Sequence, residues 1–494
     1  MRVLMLSQNE SLYDSRVIRE AEALAHRGYD VSVVCRAPVG AAAGDERVAG
    51  VRYVSIPRTT LNPVLLAALF RAHAEVLWLD ATHVVRGPHR PRHARSALRL
   101  GALVVIAPFA TVAAVPLVFL RRRVGRAGDG LPANRLRRTC RWLWHRWGLF
   151  FEPLARKFFD YVEALNYLND HAGCCTRAAV DLRPDVVHAH DLATLSGASI
   201  AARRARARLV YDAHELETHT NSVFTPILKR WVAYYESVLI QRCDAVVTVC
   251  DSIADWLERE YTIPRPIVVM NSPLRTRRSA GAGVRTAAEV DGDVPLVICV
   301  GSVTVDRGLE LTLEALALLP RVHLATIGPR WSPTEESLRR IASELGVRDR
   351  LHFIDPVPSA NVVSFIADAD ASVIPIQNVC LSYAYAFPNK LLESVFARVP
   401  VAAADLVEIR RFLELHPVGV IMDETDPSAI ANALLRLIEH RAEFTPDEAE
   451  LGRIDAEYGW DAQDVRLSAL YETLDVRLPT PEGDPEYAMS NGTS

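Results

Sequence analysis

Short apolar runs alternate with stretches in which apolar residues recur every three or four positions, and this rhythm covers most of the chain. Arg2 to Ser7, Tyr29 to Cys35 and Val51 to Ile56 read as buried strands. Between the first two, Val17, Ile18, Ala21, Leu24 and Ala25 form a helical stripe closed by Gly28, a residue suited to ending a helix. The alternation resumes at Pro184, with strands predicted at 186–189, 209–212, 245–249 and 267–270 and helices at 192–207 and 224–239. A second series has strands at 296–300, 322–327, 351–354 and 371–374. It continues through FPNKLLESVFARVPVAAAD, residues 387–405, as a helix feeding a buried strand. A last helix is expected over 461–474. Strands and helices in this order build parallel sheets covered on both faces, so the fold class is α/β with two doubly wound domains facing a cleft. The spacing places an N-terminal domain at 1–270, a linker without apolar period at 271–295 and a second domain at 296–445. A C-terminal helical segment at 446–479 and a polar, frayed tail at 480–494 complete the chain.

Residues 59–165 break the rhythm as one long insertion. Within it Leu100 to Leu120 carries no charge, and at about 1.5 Å per residue a helix of that length matches a bilayer core of roughly 30 Å. Pro108 and Pro116 would bend such a helix, and arginines flank both ends, which argues against a simple crossing. One crossing would also separate the first three strands from their own sheet. A kinked segment that enters and leaves one leaflet avoids that conflict. Further on, RLRRTCRWLWHRWGLFF mixes arginines with Trp142, Trp144 and Trp147, the composition of a helix at an anionic lipid surface. The alternative is a helical hairpin packed on the domain with solvated arginines. No known motif organises these arginines for nucleic acid, and no nucleic-acid partner is expected.

Charge sharpens that contrast. The chain has a net charge of −4, yet 80–147 holds fourteen arginines and two acids, a net +12, leaving −16 for the rest. Half of the residues are hydrophobic, which fits a globular protein too long for one core. The eight cysteines show no Cys-x-x-Cys spacing, and Cys174 and Cys175 are adjacent, so reduced cytoplasmic thiols are expected. MRVLMLSQNE is too short an apolar run for a signal peptide and reads as a first strand.

Candidate chemistry gathers at strand ends and helix starts. The loop after the first strand, QNESLYDSR, stands where an open parallel sheet binds ligands, but it lacks the glycine-rich dinucleotide fingerprint. Lys390 sits in the first turn of a helix, against the helix dipole, which implies an anion nearby. Glu393 falls on the same face; a phosphate gripped by Lys390 and hydroxyls held by Glu393 explain both, and an exposed Lys–Glu pair is the plain alternative. Arg307 repeats the placement of Lys390 before another helix. In the first domain, His190–Asp191 and His214–Glu215 close two equivalent strands. HAHD is not a zinc signature, and no third ligand follows at metal spacing.

Together YDSRVIREAEALAHRGYDVSVV, RPDVVHAHD, LVYDAHEL, CDAVVTVCDSIADWL, VGSVTVDRGLELTLEAL and PNKLLESVFARVPVAAA resemble the family-4 glycosyltransferases of the GT-B fold. The resemblance covers nearly all of the chain outside 59–165, and the Asn-Lys-x-x-Glu form is similar to branches acting in bacterial surface-polysaccharide assembly. It implies GT-B architecture, two Rossmann-like domains around a cleft, and a last helix crossing back to the first domain. It also implies a retaining glycosyltransferase that uses a nucleoside-diphosphate sugar, with no metal and no other cofactor, while the basic, Trp-bearing insertion points to a lipid-linked or glycan acceptor. By position, His190, Arg307 and Lys390 would be catalytic, His190 facing the reacting sugar and the two cations holding the donor diphosphate. Gly301, Ser302, Gly328, Tyr385, Asn389 and Glu393 would complete the donor site, Glu393 on the ribose. Asp14, Arg16, Asp191, His214 and Glu215 would lie on the acceptor side. Three positions depart from the family pattern. Tyr385 replaces a glutamate that contacts the donor sugar, and Ser302 replaces a basic residue. Arg398 replaces a glycine before the Val-Pro step, at about 1 kcal/mol if the backbone there needs positive φ.

The expected location is cytoplasmic, on the inner face of the plasma membrane through 80–147. Two other readings stay open from the sequence: a nucleotide-sugar epimerase of the same fold, and a non-catalytic assembly partner.

Overall fold

The computed structural model describes residues 1–8, 14–37, 43–56, 181–221, 226–275 and 283–474. The 59–165 insertion, with its segments 80–147 and 100–120, and the tail 480–494 lie outside the described residues. Among the described residues no helix is long and apolar enough to cross a membrane.

Eight strands form the first sheet: β1 (Arg2–Leu6), β2 (Asp30–Arg36), β3 (Gly44–Val48), β4 (Val51–Ile56), β5 (Val186–His190), β6 (Arg208–Ala213), β7 (Ala245–Thr248) and β8 (Ile267–Val268). Their order is β3-β4-β2-β1-β5-β6-β7-β8, parallel throughout except for the β3–β4 pair. The second sheet has six parallel strands: β9 (Leu296–Val300), β10 (His323–Ile327), β11 (Leu351–Ile354), β12 (Ala371–Ile374), β13 (Val401–Ala404) and β14 (Gly419–Met422). They lie in the order β11-β10-β9-β12-β13-β14.

Both faces of each sheet are apolar because helices cover both. Along β1, Val3 and Met5 join one layer while Leu4 and Leu6 join the other. β9 splits likewise, Val297 and Cys299 to one side and Leu296, Ile298 and Val300 to the other. This explains why continuous apolar runs foretold these strands. β3 escaped prediction because all five residues of GDERV are exposed, and an edge strand needs no apolar face. β14, with only Met422 buried, escaped for a similar reason.

Residues 283–295, read as linker, contain the short helix Val284–Ala287 and lend Val284, Ala288 and Val290 to the second core. At the C-terminus, the helix Glu448–Tyr458 packs Leu451 and Ile454 into the second core. After Gly459 the helix Trp460–Leu474 places Leu467, Leu470 and Tyr471 beside Val3 and Met5 of the first. Gln463 Oε1 accepts the Met270 N–H at 3.0 Å, so the last helix also fixes the end of the first domain. Arg398 has φ +58, the left-handed backbone that glycine would favour, and its guanidinium bonds Glu448.

The first lobe is tied across its sheet by a buried ion pair. Helix α1 (Ser15–His26) begins at Asp14, whose carboxylate caps the Val17 N–H at 3.3 Å. Arg16 then enters the core, its Nε and Nη2 donating to Asp212 at 2.7 and 2.8 Å and Nη1 donating to the Val269 carbonyl at 2.6 Å. Burial opposes the Asp212 charge, but Arg16, His214 and the His190 contact together outweigh it and hold the carboxyl well below the usual range. With its folded pKa depressed, Asp212 contributes stability above the unfolded carboxylate range near 4, lost as pH falls through the folded value. Asp212→Asn removes the carboxylate that Arg16 grips with two donors and leaves Glu20, 3.1 Å away, to balance the buried guanidinium; urea unfolding at pH 7 should show a loss of about 3–5 kcal/mol. A loss below about 1 kcal/mol would show that the pair does not hold the lobe together.

Candidate functional site

Strand order changes direction between β1 and β5 in one sheet and between β9 and β12 in the other. Such switch points open a crevice at the strand C-termini, and here the two crevices face each other. Between them lies a cavity of about 460 Å³, bordered by Asp14, Arg16, His214 and Glu215 from the first lobe. The second lobe contributes Gly301, Ser302, Arg307, Asn389, Lys390 and Glu393, with Ser382, Tyr383 and Phe387 beside them.

Backbone geometry aims both cations into this space. Gly301 ends β9 at φ +118, and a Cβ there would stand 3.1 Å from Lys390 Nζ. The next turn puts Asp306 at φ +59 and Gly308 at φ +72; a Cβ on Gly308 would meet the Pro375 carbonyl at 2.0 Å. Arg307, held between them, lies over the Tyr383 ring with Cζ 5.1 Å from its centroid. Its Nε is buried and has no hydrogen-bond partner among the described residues. Lys390 is the second residue of helix α2 (Asn389–Phe396), so both cations converge near helix starts. Burial, joined by the nearby Arg307 charge, lowers the Lys390 ammonium below its ordinary value. Burial raises Glu393, and the positive charges of Arg19 and Lys390 pull it back. The result is a sheltered, doubly cationic pocket with a carboxylate on one wall, fitted to a diphosphate that carries hydroxyls.

On the first lobe, His214 is the imidazole that reaches the cavity. Its Nδ1 lies 3.2 Å from Asp191 and its Nε2 3.1 Å from Asp212. Burial disfavours its charge, yet the two carboxylates outweigh burial and push its pKa well above the usual histidine value. Asp191 stands at φ +63, a strained backbone of order 1–3 kcal/mol, and so presents its carboxylate to His214.

Four sequence candidates lie elsewhere. His190 is 1% exposed and packs behind His214, ring centroids 5.4 Å apart, so it does not border the cavity. Asp191 supports His214 rather than lining the space itself. Tyr385 packs against the first lobe's core, and its carbonyl accepts the Cys250 thiol at 3.2 Å. Gly328, φ +146, permits close strand packing, since a Cβ there would fall 2.4 Å from the Gly301 carbonyl oxygen. Arg16 borders the cavity, but its guanidinium is committed to Asp212. Arg19 was missed. It bonds the Asn271 side chain, lies over Trp460 at 5.6 Å and faces Glu393, with burial lowering its pKa to about 10. The signal was its place three residues after Arg16, on the same helical face.

Behind His214, Glu20, His188, His190 and Asp212 bring ligand-type atoms within 4.8 Å of one another. These residue types suit a divalent metal, but Arg16 already sits among them, 3.1 Å from Glu20 and 2.7 Å from Asp212, and supplies the balancing charge.

Comparison with known proteins agrees with the geometry. A family model described as Glycosyltransferase Family 4 matches residues 151–278, and one described as Glycosyl transferases group 1 matches 294–440; together they span more than half of the chain. The chain belongs to the GT-B glycosyltransferases. It is similar to the D-inositol 3-phosphate glycosyltransferase of Thermobispora bispora, 24% identical over 326 residues, covering 61% of this chain and 74% of that one. The enzyme of the same name from Corynebacterium glutamicum is 28% identical over 210 residues, covering 40% of this chain and 46% of the relative. Among solved structures, sucrose-phosphate synthase from Thermosynechococcus elongatus superposes with TM-score 0.61 at 16% identity, over 96% of this chain and 99% of that one. Anabaena HepE in complex with UDP and glucose follows with TM-score 0.60 at 11% identity, over 96% and 100%. At those identities the structures speak for the fold.

For this glycosyltransferase, Gly301→Ala should be poorly tolerated at the site, because the added methyl meets the Lys390 ammonium and a positive φ. Stability, and with it the melting temperature, should fall by the roughly 1–2 kcal/mol that positive φ costs alanine, and nucleoside-diphosphate affinity of the folded variant should fall by a further ~1 kcal/mol or more. Unchanged affinity would mean that Gly301 does not set the position of Lys390.

Proposed function

We propose that the enzyme moves a sugar, with retention of anomeric configuration, from a nucleoside-diphosphate donor to a lipid-linked or glycan acceptor in cell-surface polysaccharide or glycolipid synthesis. The observation that carries this reading is the convergence of Arg307 and Lys390 in one cavity without an ion pair of their own among the described residues. A pyrophosphate supplies the missing charge. As the glycosidic bond breaks, negative charge grows on the leaving diphosphate, and two cations fixed in a sheltered cleft stabilise it more strongly than water does. The same cations make a metal unnecessary for that step. Glu393, on the α2 face that carries Lys390, accepts hydroxyls of the donor's ribose. Asn389, Gly301 and Ser302 border the same half of the cavity. The acceptor approaches from the opposite wall, where Asp14 and the Asp191-supported imidazolium of His214 stand. Neighbouring folds crystallised with UDP-glucose support the donor class.

The basic, tryptophan-bearing stretch 80–147 motivates the lipid-linked acceptor and a place on the inner face of the plasma membrane. The full-length enzyme should sediment with anionic liposomes and the protein lacking 80–147 should not; equal behaviour of the two would remove this part of the reading.

Lys390→Ala should weaken nucleoside-diphosphate binding by roughly 1.5–3 kcal/mol, read by calorimetry with UDP and GDP. An unaltered dissociation constant would refute the donor site. Transfer should persist in EDTA, and a metal-dependent rate would contradict charge neutralisation by Arg307 and Lys390 alone.

A further inference from the structure

We propose that Glu215 reads the donor sugar, its carboxylate accepting hydroxyls of the transferred glycosyl group and thereby setting which sugar is used. The proposal rests on the donor-diphosphate reading above and moves Glu215 from the acceptor side to the reacting sugar. Glu215 follows β6 on the first lobe and reaches the second, where Ser382 Oγ donates to its Oε2 at 3.5 Å. It borders the cavity with Arg307 and Tyr383, and the positive charges of His214 and Arg307 act on its carboxylate.

The donor-domain loop offers no competing carboxylate. Residues 375–388, PIQNVCLSYAYAFP, contain no acid, and Tyr385 turns out of the cavity into the first lobe's core. A sugar presents several hydroxyl donors, and a buried carboxylate is the side chain able to accept two at once. Three carboxylates border the cavity: Asp14, Glu215 and Glu393. Asp14 caps α1, and Glu393 faces Arg19 and Lys390 on the ribose side. Glu215 is the one placed beside Arg307 from across the cleft. Bare diphosphate on Arg307 would repel it, whereas a glycosyl group attached to that diphosphate puts neutral hydroxyls between the two charges. Burial, with Asp191 adding to it, raises the Glu215 pKa against the pull of His214 and Arg307, consistent with a carboxylate kept from water.

Calorimetry with UDP, GDP and a panel of their hexose conjugates tests this on wild type, Glu215→Gln and Glu215→Ala. In wild type the preferred nucleotide sugar should bind more tightly than its bare diphosphate and than its sugar epimers. Both variants should lose that preference, with roughly tenfold or greater loss for the preferred conjugate and less than about twofold for bare diphosphate. Glu215→Gln, equal in size, keeps the comparison valid if the alanine variant folds poorly. Equal losses for conjugate and bare diphosphate would overturn the assignment. So would unchanged donor selectivity with a raised KM for acceptor, which would return Glu215 to the acceptor side. Wild type binding neither UDP nor GDP would instead defeat the donor reading itself, a result separate from any behaviour of the variants.

Discussion

Holding Arg307 and Lys390 together in a sheltered cleft is unfavourable, since each loses water and each repels the other. Much of the second lobe is arranged to maintain that placement. Gly301 leaves room for the ammonium, and Asp306 and Gly308 take left-handed backbone on either side of Arg307. Tyr383 lends its ring face to the guanidinium. Strain and desolvation concentrated at one point of a well-packed domain mark a site built for a ligand of opposite charge.

The first lobe solves a different electrostatic problem. Arg16, Glu20, Asp212, His188, His190 and His214 form a buried network whose charges balance among themselves. The stacked pair His188–His190, centroids 4.4 Å apart, and the Tyr471 hydroxyl, 2.8 Å from His188 Nδ1, tie that network to the last helix. Its outer member, His214, is thereby fixed in position and charge at the cavity wall. The lobes meet through Asn221 and Asp306 at 2.8 Å and through the Ser252 N–H and Glu408 at 2.8 Å. Apolar packing adds to these contacts, with Leu381, Tyr385 and Phe387 of the second lobe set against the first core.

Much of the fold was legible because parallel strands buried on both faces are written as continuous apolar runs. Lys390, Arg307 and Glu393 were legible for a local reason: a cation at a helix start conflicts with the helix dipole, and the conflict shows in sequence. What could not be read depended on distance along the chain. Arg16 and Asp212 are 196 positions apart, so nothing local indicates that Arg16 is consumed by an ion pair. The two His–acid pairs look equivalent as text, yet His190 points into the network and His214 into the cleft. Tyr385 and Gly328 carried positions from family pattern, and the fold used one for packing against the opposite lobe and the other for strand approach.

The most direct test of the account is the titration of Lys390 itself, followed by NMR on lysine-labelled enzyme with and without UDP. The account predicts a pKa below that of exposed lysines in the free enzyme and a marked rise when UDP binds, as diphosphate charge replaces lost water. An ordinary lysine pKa that UDP leaves unmoved would contradict it.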